Sequence, residues 1–231
     1  MPQEALIGRY TGTDTTDWHG KDCARIDFRG TDVRSPYFGD PSLWDEGGEV
    51  PLADVMERLR ARRTAEGIVI GVEPLRNPGL YRILKEIRTV GLGIRIETWG
   101  TRPLQLDDFA GARMVESVLV ELTASPDSPR FPEAMPGADP AAVSDTLDLL
   151  DGLEIETEVE LVAVPGIADA DSVRSIAKHL GKRTVFTIRQ FDPRKAHSAA
   201  AKRLEPLSKK EISALRDAIR PYPCKSGIRW A

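Results

Sequence analysis

The chain of 231 residues holds only two cysteines, Cys23 and Cys224. So few thiols argue against a disulfide framework, and the pair matches no zinc or iron–sulfur spacing. Cys23 sits in an apolar-alternating run and is expected to be a buried, inert thiol. Long apolar runs are missing as well: none approaches the roughly 20 residues that a membrane helix needs. Met1-Pro2-Gln3-Glu4 lacks the basic-then-apolar order of a secretion signal, so a cytoplasmic protein is expected. Charge of one sign is not in excess, since 32 Lys and Arg against 36 Asp and Glu leave a net −4. That balance gives no reason to expect nucleic acid or an anionic membrane as partner. There is no Ser-His-Asp order, Cys-His pair, phosphate-binding glycine loop, dinucleotide fingerprint, repeat or low-complexity linker. Gly47-Gly48 is only a turn signal.

What is present is an ordinary globular composition, 41% apolar and 29% charged. A single domain over residues 1–231 is expected. Short β-rich runs cover 23–29, 67–72, 93–98, 117–123, 156–164 and 184–190. Between them fall helical patterns. Residues 51–63 open on Pro51 and carry Leu52, Val55, Met56 and Leu59 on one face. Residues 78–90 carry Leu80, Ile83, Leu84 and Ile87 and stop at Gly91. Further helices are expected at 143–153 and 171–180, a helical turn at 107–111, and a last helix at 208–220, where Ser208 and Glu211 form a capping box. Such alternation predicts a parallel sheet, as a doubly wound sheet or a partial barrel, with ligands at the C-terminal strand ends. Two segments break the rhythm: the loop 30–49, and 125–140, whose five prolines predict a stiff surface excursion.

Asp17-Trp18-His19-Gly20-Lys21 precedes the first β run, and Thr31 to Pro41 read Thr-Asp-Val-Arg-Ser-Pro-Tyr-Phe-Gly-Asp-Pro. This resembles the opening of radical S-adenosylmethionine (SAM) activating enzymes, above all the activators of anaerobic ribonucleotide reductase. Those run Asp-Trp-Pro-Gly-Lys, a strand, then Cys-x-x-x-Cys-Pro-Tyr-Cys-His-Asn-Pro. Downstream, Gly71-Val72-Glu73-Pro74 is similar to the family's Gly-Gly-Glu-Pro, Glu97-Thr98-Trp99-Gly100 to its Asp-Thr-Asn-Gly, and Val120 to Ala124 to its Met-Asp-Ile-Lys-Ala. Val164-Pro165-Gly166 and Arg189 to Pro193 follow in order. The resemblance spans about 15 to 229 and implies an α/β fold, a partial (βα)6 TIM-like barrel of the radical SAM type.

The family's three cluster cysteines fall on Thr31, Ser35 and Phe38. Hydroxyls of high pKa and a phenyl ring are poor substitutes for thiolates. His19 alone cannot hold a cluster and is expected to be a plain loop residue. The expectation drawn from these positions is a protein without an iron–sulfur cluster, with no catalytic residue and no metal site. No cofactor is expected, and SAM is expected to bind weakly at best. Val72 stands where the family's second glycine lets the backbone approach SAM, or else it simply stabilises a strand.

The expected role is then a non-catalytic binding or regulatory protein. It would meet another protein through loops 30–49 and 125–140. One alternative is a non-radical enzyme or a SAM- or nucleotide-binding protein working at the barrel mouth. A further alternative is the family's own activity, activation of a glycyl-radical enzyme. The candidate ligand residues are Tyr37, Glu73, Glu97, Glu121 and Arg189. Tyr37 stands where the resemblance implies an aromatic beside adenine, and the plainer reading is that it packs its loop. The three glutamates close three β runs and would make a cation or amine pocket, unless each pairs with an arginine such as Arg25, Arg95 or Arg189. The basic stretch from Arg194 to Lys210 lacks interleaved aromatics and reads as solvated surface.

Overall fold

The computed structural model describes residues 7–14, 18–45, 50–62 and 64–231, with only the backbone for Thr13 and Asp14. Met1 to Glu4, Asp17, Gly47-Gly48, Glu49 and Arg63, which entered the sequence reading, lie outside the described residues. The chain divides into two compact units: Met1–Thr31, Ser42–Thr98 and Leu104–Val118 form the first, and Asp32–Pro41, Trp99–Pro103 and Leu119–Ala231 the second.

In the first unit, β2 (Cys23–Phe28), β3 (Gly67–Gly71) and β4 (Gly93–Thr98) are parallel neighbours. All five residues of β3 are buried, as expected of a parallel strand covered on both faces. Strand β1 (Ile7–Asp14) joins β2 antiparallel. It was not legible from the sequence, because Gly8, Gly12 and polar neighbours hide its period. Helix α1 (Leu52–Ala61) and helix α2 (Leu80–Arg88) arise where the apolar stripes are, and Leu80, Ile83, Leu84 and Ile87 are all buried. Helix α3 (Pro103–Gly111) starts four residues before the expected turn, with Pro at its first position. Trp18 is buried beside Cys23 and Val69. A Cβ on Gly67 or Gly93 would lie 3.0 or 3.2 Å from its ring, so the strand-opening glycines admit the indole.

The second unit holds the last four residues of β5 (Ser117–Leu122), and β6 (Glu156–Ala163), β7 (Val185–Gln190) and β8 (Lys225–Arg229), the last three parallel in that order. Strand β8 was missed because Lys-Ser-Gly-Ile-Arg is short, polar and half exposed. The helices are α4 (Phe131–Ala134), α5 (Pro140–Leu149), α6 (Ala170–Ala177) and α7 (Lys209–Asp217). Helix α5 begins earlier than the apolar pattern suggests, because Asp139 caps it through the Ala141 N–H. The Ser208–Glu211 capping box is formed in both directions. The segment 125–140 is more than a surface excursion: Phe131, Ala134 and Met135 are buried, anchoring it by a helical turn. Among the described residues no helix is long and apolar enough to cross a membrane.

Candidate functional site

In the first unit, charge collects on alternate residues of the strands. Asp27, fully buried, accepts from Arg9 at 2.6 and 2.8 Å and from Arg25 at 2.7 Å. Arg25 reaches on to Glu97 at 2.6 Å. A carboxylate with no exposure requires such partners, since an unpaired buried charge is strongly destabilising. Gly71 lies in register with Asp27. A Cβ there would run into the Arg25 guanidinium and lie 2.8 Å from Asp27 Oδ1, so the ion pair needs a residue without a side chain beside it.

Strand β3 ends at Gly71, and the backbone then turns left-handed, with φ 62° at Val72 and 51° at Glu73. Val72 is therefore not the strand stabiliser of the plainer sequence reading. It is a β-branched residue held in a region that such residues avoid. Glu73 is buried, and its Oε1 accepts the Thr98 hydroxyl at 2.8 Å. Pro74 follows and starts a 3-10 turn to Arg76.

In the second unit, the segment Asp32–Pro41 is tied down at several points. The Arg34 N–H donates to Pro136 O at 3.2 Å, and the N–H groups of His197 and Ser198 both donate to Pro36 O. Ser35 is fully buried, its hydroxyl 3.4 Å from that of Thr123. The Tyr37 hydroxyl donates to Glu133 at 2.8 Å, and Glu133 is gripped by Arg130. Burial, and then the hydrogen bond to Glu133, push the Tyr37 phenol above its ordinary pKa, while Arg130 holds the Glu133 carboxyl below its own. Phe38 meets Trp99 edge to face at 6.2 Å, and the Arg189 guanidinium lies 4.5 Å from its ring centre. Arg189 continues into a ladder of charge: 3.9 Å to Glu121 and 3.0 Å to Glu160. Arg229 closes the ladder at 2.8 Å from Glu160 and 3.4 Å from Glu158.

The sequence profile of the radical SAM superfamily matches residues 31–178. The chain belongs to the radical SAM superfamily. A protein of Methanocaldococcus jannaschii that bears the name of a glycyl-radical enzyme activating enzyme is 21% identical over 224 residues, covering 95% of this chain and 93% of that protein. Among solved structures, Streptococcus suis SuiB bound to SAM matches with TM-score 0.64 at 10% identity, over 86% of this chain and 48% of SuiB. A TYW1 with a lysine–pyruvate adduct matches with TM-score 0.63 at 13% identity, over 90% of this chain and 76% of that one. The chain thus spans about half the length of SuiB. These matches show the fold, α/β of the radical SAM partial-barrel type.

Membership corrects one expectation. The absence of any cofactor, with SAM weak at best, was read from three residues of one loop. A superfamily match over most of the chain points instead to that family's cofactors, SAM and an iron–sulfur cluster. The donor set at 31, 35 and 38, where the resemblance implies the cluster ligands, is a separate matter. Thr31 and Ser35 are buried hydroxyls and Phe38 is engaged with Trp99 and Arg189. This donor set does not fit a thiolate-held cluster, and Cys23 and Cys224 are both buried.

The five candidate ligand residues divide between the units. Glu73 and Glu97 lie in the first, Glu97 paired with Arg25 and Glu73 with Thr98. Tyr37, Glu121 and Arg189 lie in the second, where Arg189 joins Glu121. His19 is exposed. The sequence reading missed Asp27, Glu158, Glu160 and Arg229. The signal was present: 156, 158 and 160 are all Glu, a period of two on one strand face, and 158 and 160 are buried.

Proposed function

We propose that the chain binds SAM at the turn after β3 and serves as a protein of the glycyl-radical activating-enzyme type, with a polypeptide partner. The observation that carries this reading is the left-handed backbone at Val72 and Glu73. Each such L-residue costs of order 1–2 kcal/mol. Strain of this kind persists where a site needs it. The turn stands where the resemblance places the backbone that takes the amino group of SAM. The M. jannaschii relative, matched over nearly the full length of both chains, favours an activating-enzyme role over a purely regulatory one. SuiB, solved with SAM and with its precursor peptide, supports SAM and a polypeptide as the ligand classes of this fold.

On this reading Glu73, which accepts the Thr98 hydroxyl, orients the turn, and Glu97 holds Arg25. Glu121 and Arg189 are assigned to substrate contact and Tyr37 to positioning of its loop. The partner is met through the described part of loop 30–49 and through 125–140, in one cytoplasmic domain. No step is routed through a cluster, because the donor set at 31, 35 and 38 does not fit one. Calorimetry with SAM tests the reading. Saturable binding is expected, tightened about threefold or more by Val72→Gly and weakened about tenfold by Glu73→Gln, which is roughly 1.4 kcal/mol. Absence of saturable heat at millimolar SAM in both the wild type and Val72→Gly would overturn it.

A further inference from the structure

We infer that the first unit carries a second docking site, a cleft between the 74–79 turn and α3 that takes a polypeptide segment with an apolar side chain followed by a basic one. The cleft encloses about 550 Å³, within the span of ligand sites, and is walled by Leu75, Pro78 and Phe109. Its occupant is independent of SAM binding at the Val72 turn.

Three observations point to a peptide. Asn77, 8% exposed, lines the cleft, and its Oδ1 accepts the Gly79 N–H at 2.8 Å. That bond fixes the amide, and the Nδ2 group is left with no hydrogen-bond partner. A buried donor without an acceptor is costly, and a main-chain carbonyl is an acceptor of the right kind. Asp108, exposed on the cleft wall, has no ion-pair partner among the described residues, so the rim offers a carboxylate to a cation. Finally, apolar surface continues past the mouth. Tyr81 on the wall is 54% exposed, and Leu104, one helical turn before Asp108, is 75% exposed. A small metabolite inside the cleft would leave that surface bare, whereas a chain segment covers it.

Asn77 is the only asparagine in the sequence, so ¹⁵N-asparagine labelling gives a single side-chain amide pair to watch. The probes are acetyl-Leu-Phe-Lys-amide and acetyl-Leu-Phe-Glu-amide, titrated into the whole chain. The basic peptide is expected to shift the Asn77 amide saturably, in the millimolar range or tighter. It is expected to bind about two- to fivefold more tightly than the acidic one, the range for an exposed ion pair. Asp108→Asn should erase that preference. Ala112→Trp, which fills the cleft from an exposed position, should abolish the shift. No saturable shift, equal binding of both peptides, or an undiminished shift in Ala112→Trp overturns the proposal. So does an Asn77 shift that depends on protein concentration without peptide, which would assign the cleft to a second copy of the chain.

Discussion

Val72 permits a test in which two backbone conformations give opposite orders of stability. In a strand, Val is favoured, Ala is tolerated, and Gly is worse than Ala by about 0.5–1 kcal/mol. At φ 62° the order of the last two reverses. Ala keeps the left-handed penalty of about 1–2 kcal/mol. Gly sheds it and loses about 0.5–1 kcal/mol to the entropy of the unfolded chain. Both variants forfeit the packing of a half-buried valine, a cost of about 0.7 kcal/mol that cancels between them. Val72→Gly should therefore exceed Val72→Ala by about 0.5–1 kcal/mol. For a chain of this size that is roughly 1–4 °C in Tm. Relative to wild type, Gly should be near neutral and Ala destabilised. Urea unfolding with a common m-value is the measurement. If Ala proves more stable than Gly by 0.5 kcal/mol or more, the turn is strand-like and the strain argument for a ligand site fails with it.

Other perturbations address the charge clusters and the loop. Asp27→Ala should cost about 1.5–3 kcal/mol, for its charge-assisted hydrogen bonds are lost while Arg9 stays half exposed and Arg25 keeps Glu97; a drop of under about 0.5 kcal/mol in urea unfolding would show that the pair is dispensable. Gly71→Ala should be destabilised by more than a surface substitution, for its Cβ meets the Arg25–Asp27 pair; rescue by Arg25→Ala in the double mutant is the check. Tyr37→Phe, which removes the hydrogen bond to Glu133, should cost about 1 kcal/mol and leave the α/β circular dichroism unchanged. Burial holds the His197 pKa below its ordinary value, so the unfolded chain takes up the proton first. Its contribution to stability is then complete above about pH 6.5 and lost as pH falls below it; His197→Gln should flatten that part of a stability profile.

The alternation of strands and helices was legible because each apolar period maps onto a buried face: β4 and α2 appear where the pattern placed them. Edges were not, since β1 and β8 bury little and so leave no strong period. The expected pairing of glutamates with arginines is seen for Glu97 with Arg25 and for Glu121 with Arg189, while Glu73, in the turn after β3, accepts the Thr98 hydroxyl. Such pairing depends on which strands lie side by side, and a single sequence encodes that only indirectly. Val72 misled because its side chain favours strands while its backbone is fixed by what surrounds it. Cofactors were misjudged because three residues of one loop outweighed a likeness that extends along the chain.

Segments 32–41 and 125–140 are stitched together by Arg34 to Pro136 and Tyr37 to Glu133, and by Gly137, where any Cβ would collide with the carbonyl of Asp32. Neither can be exchanged alone. A loop transplanted from a relative would keep its shape only if its counterpart came with it, glycine included. Variation in this part of the molecule is expected to travel in pairs, and an insertion in one loop should be felt first as disorder in the other.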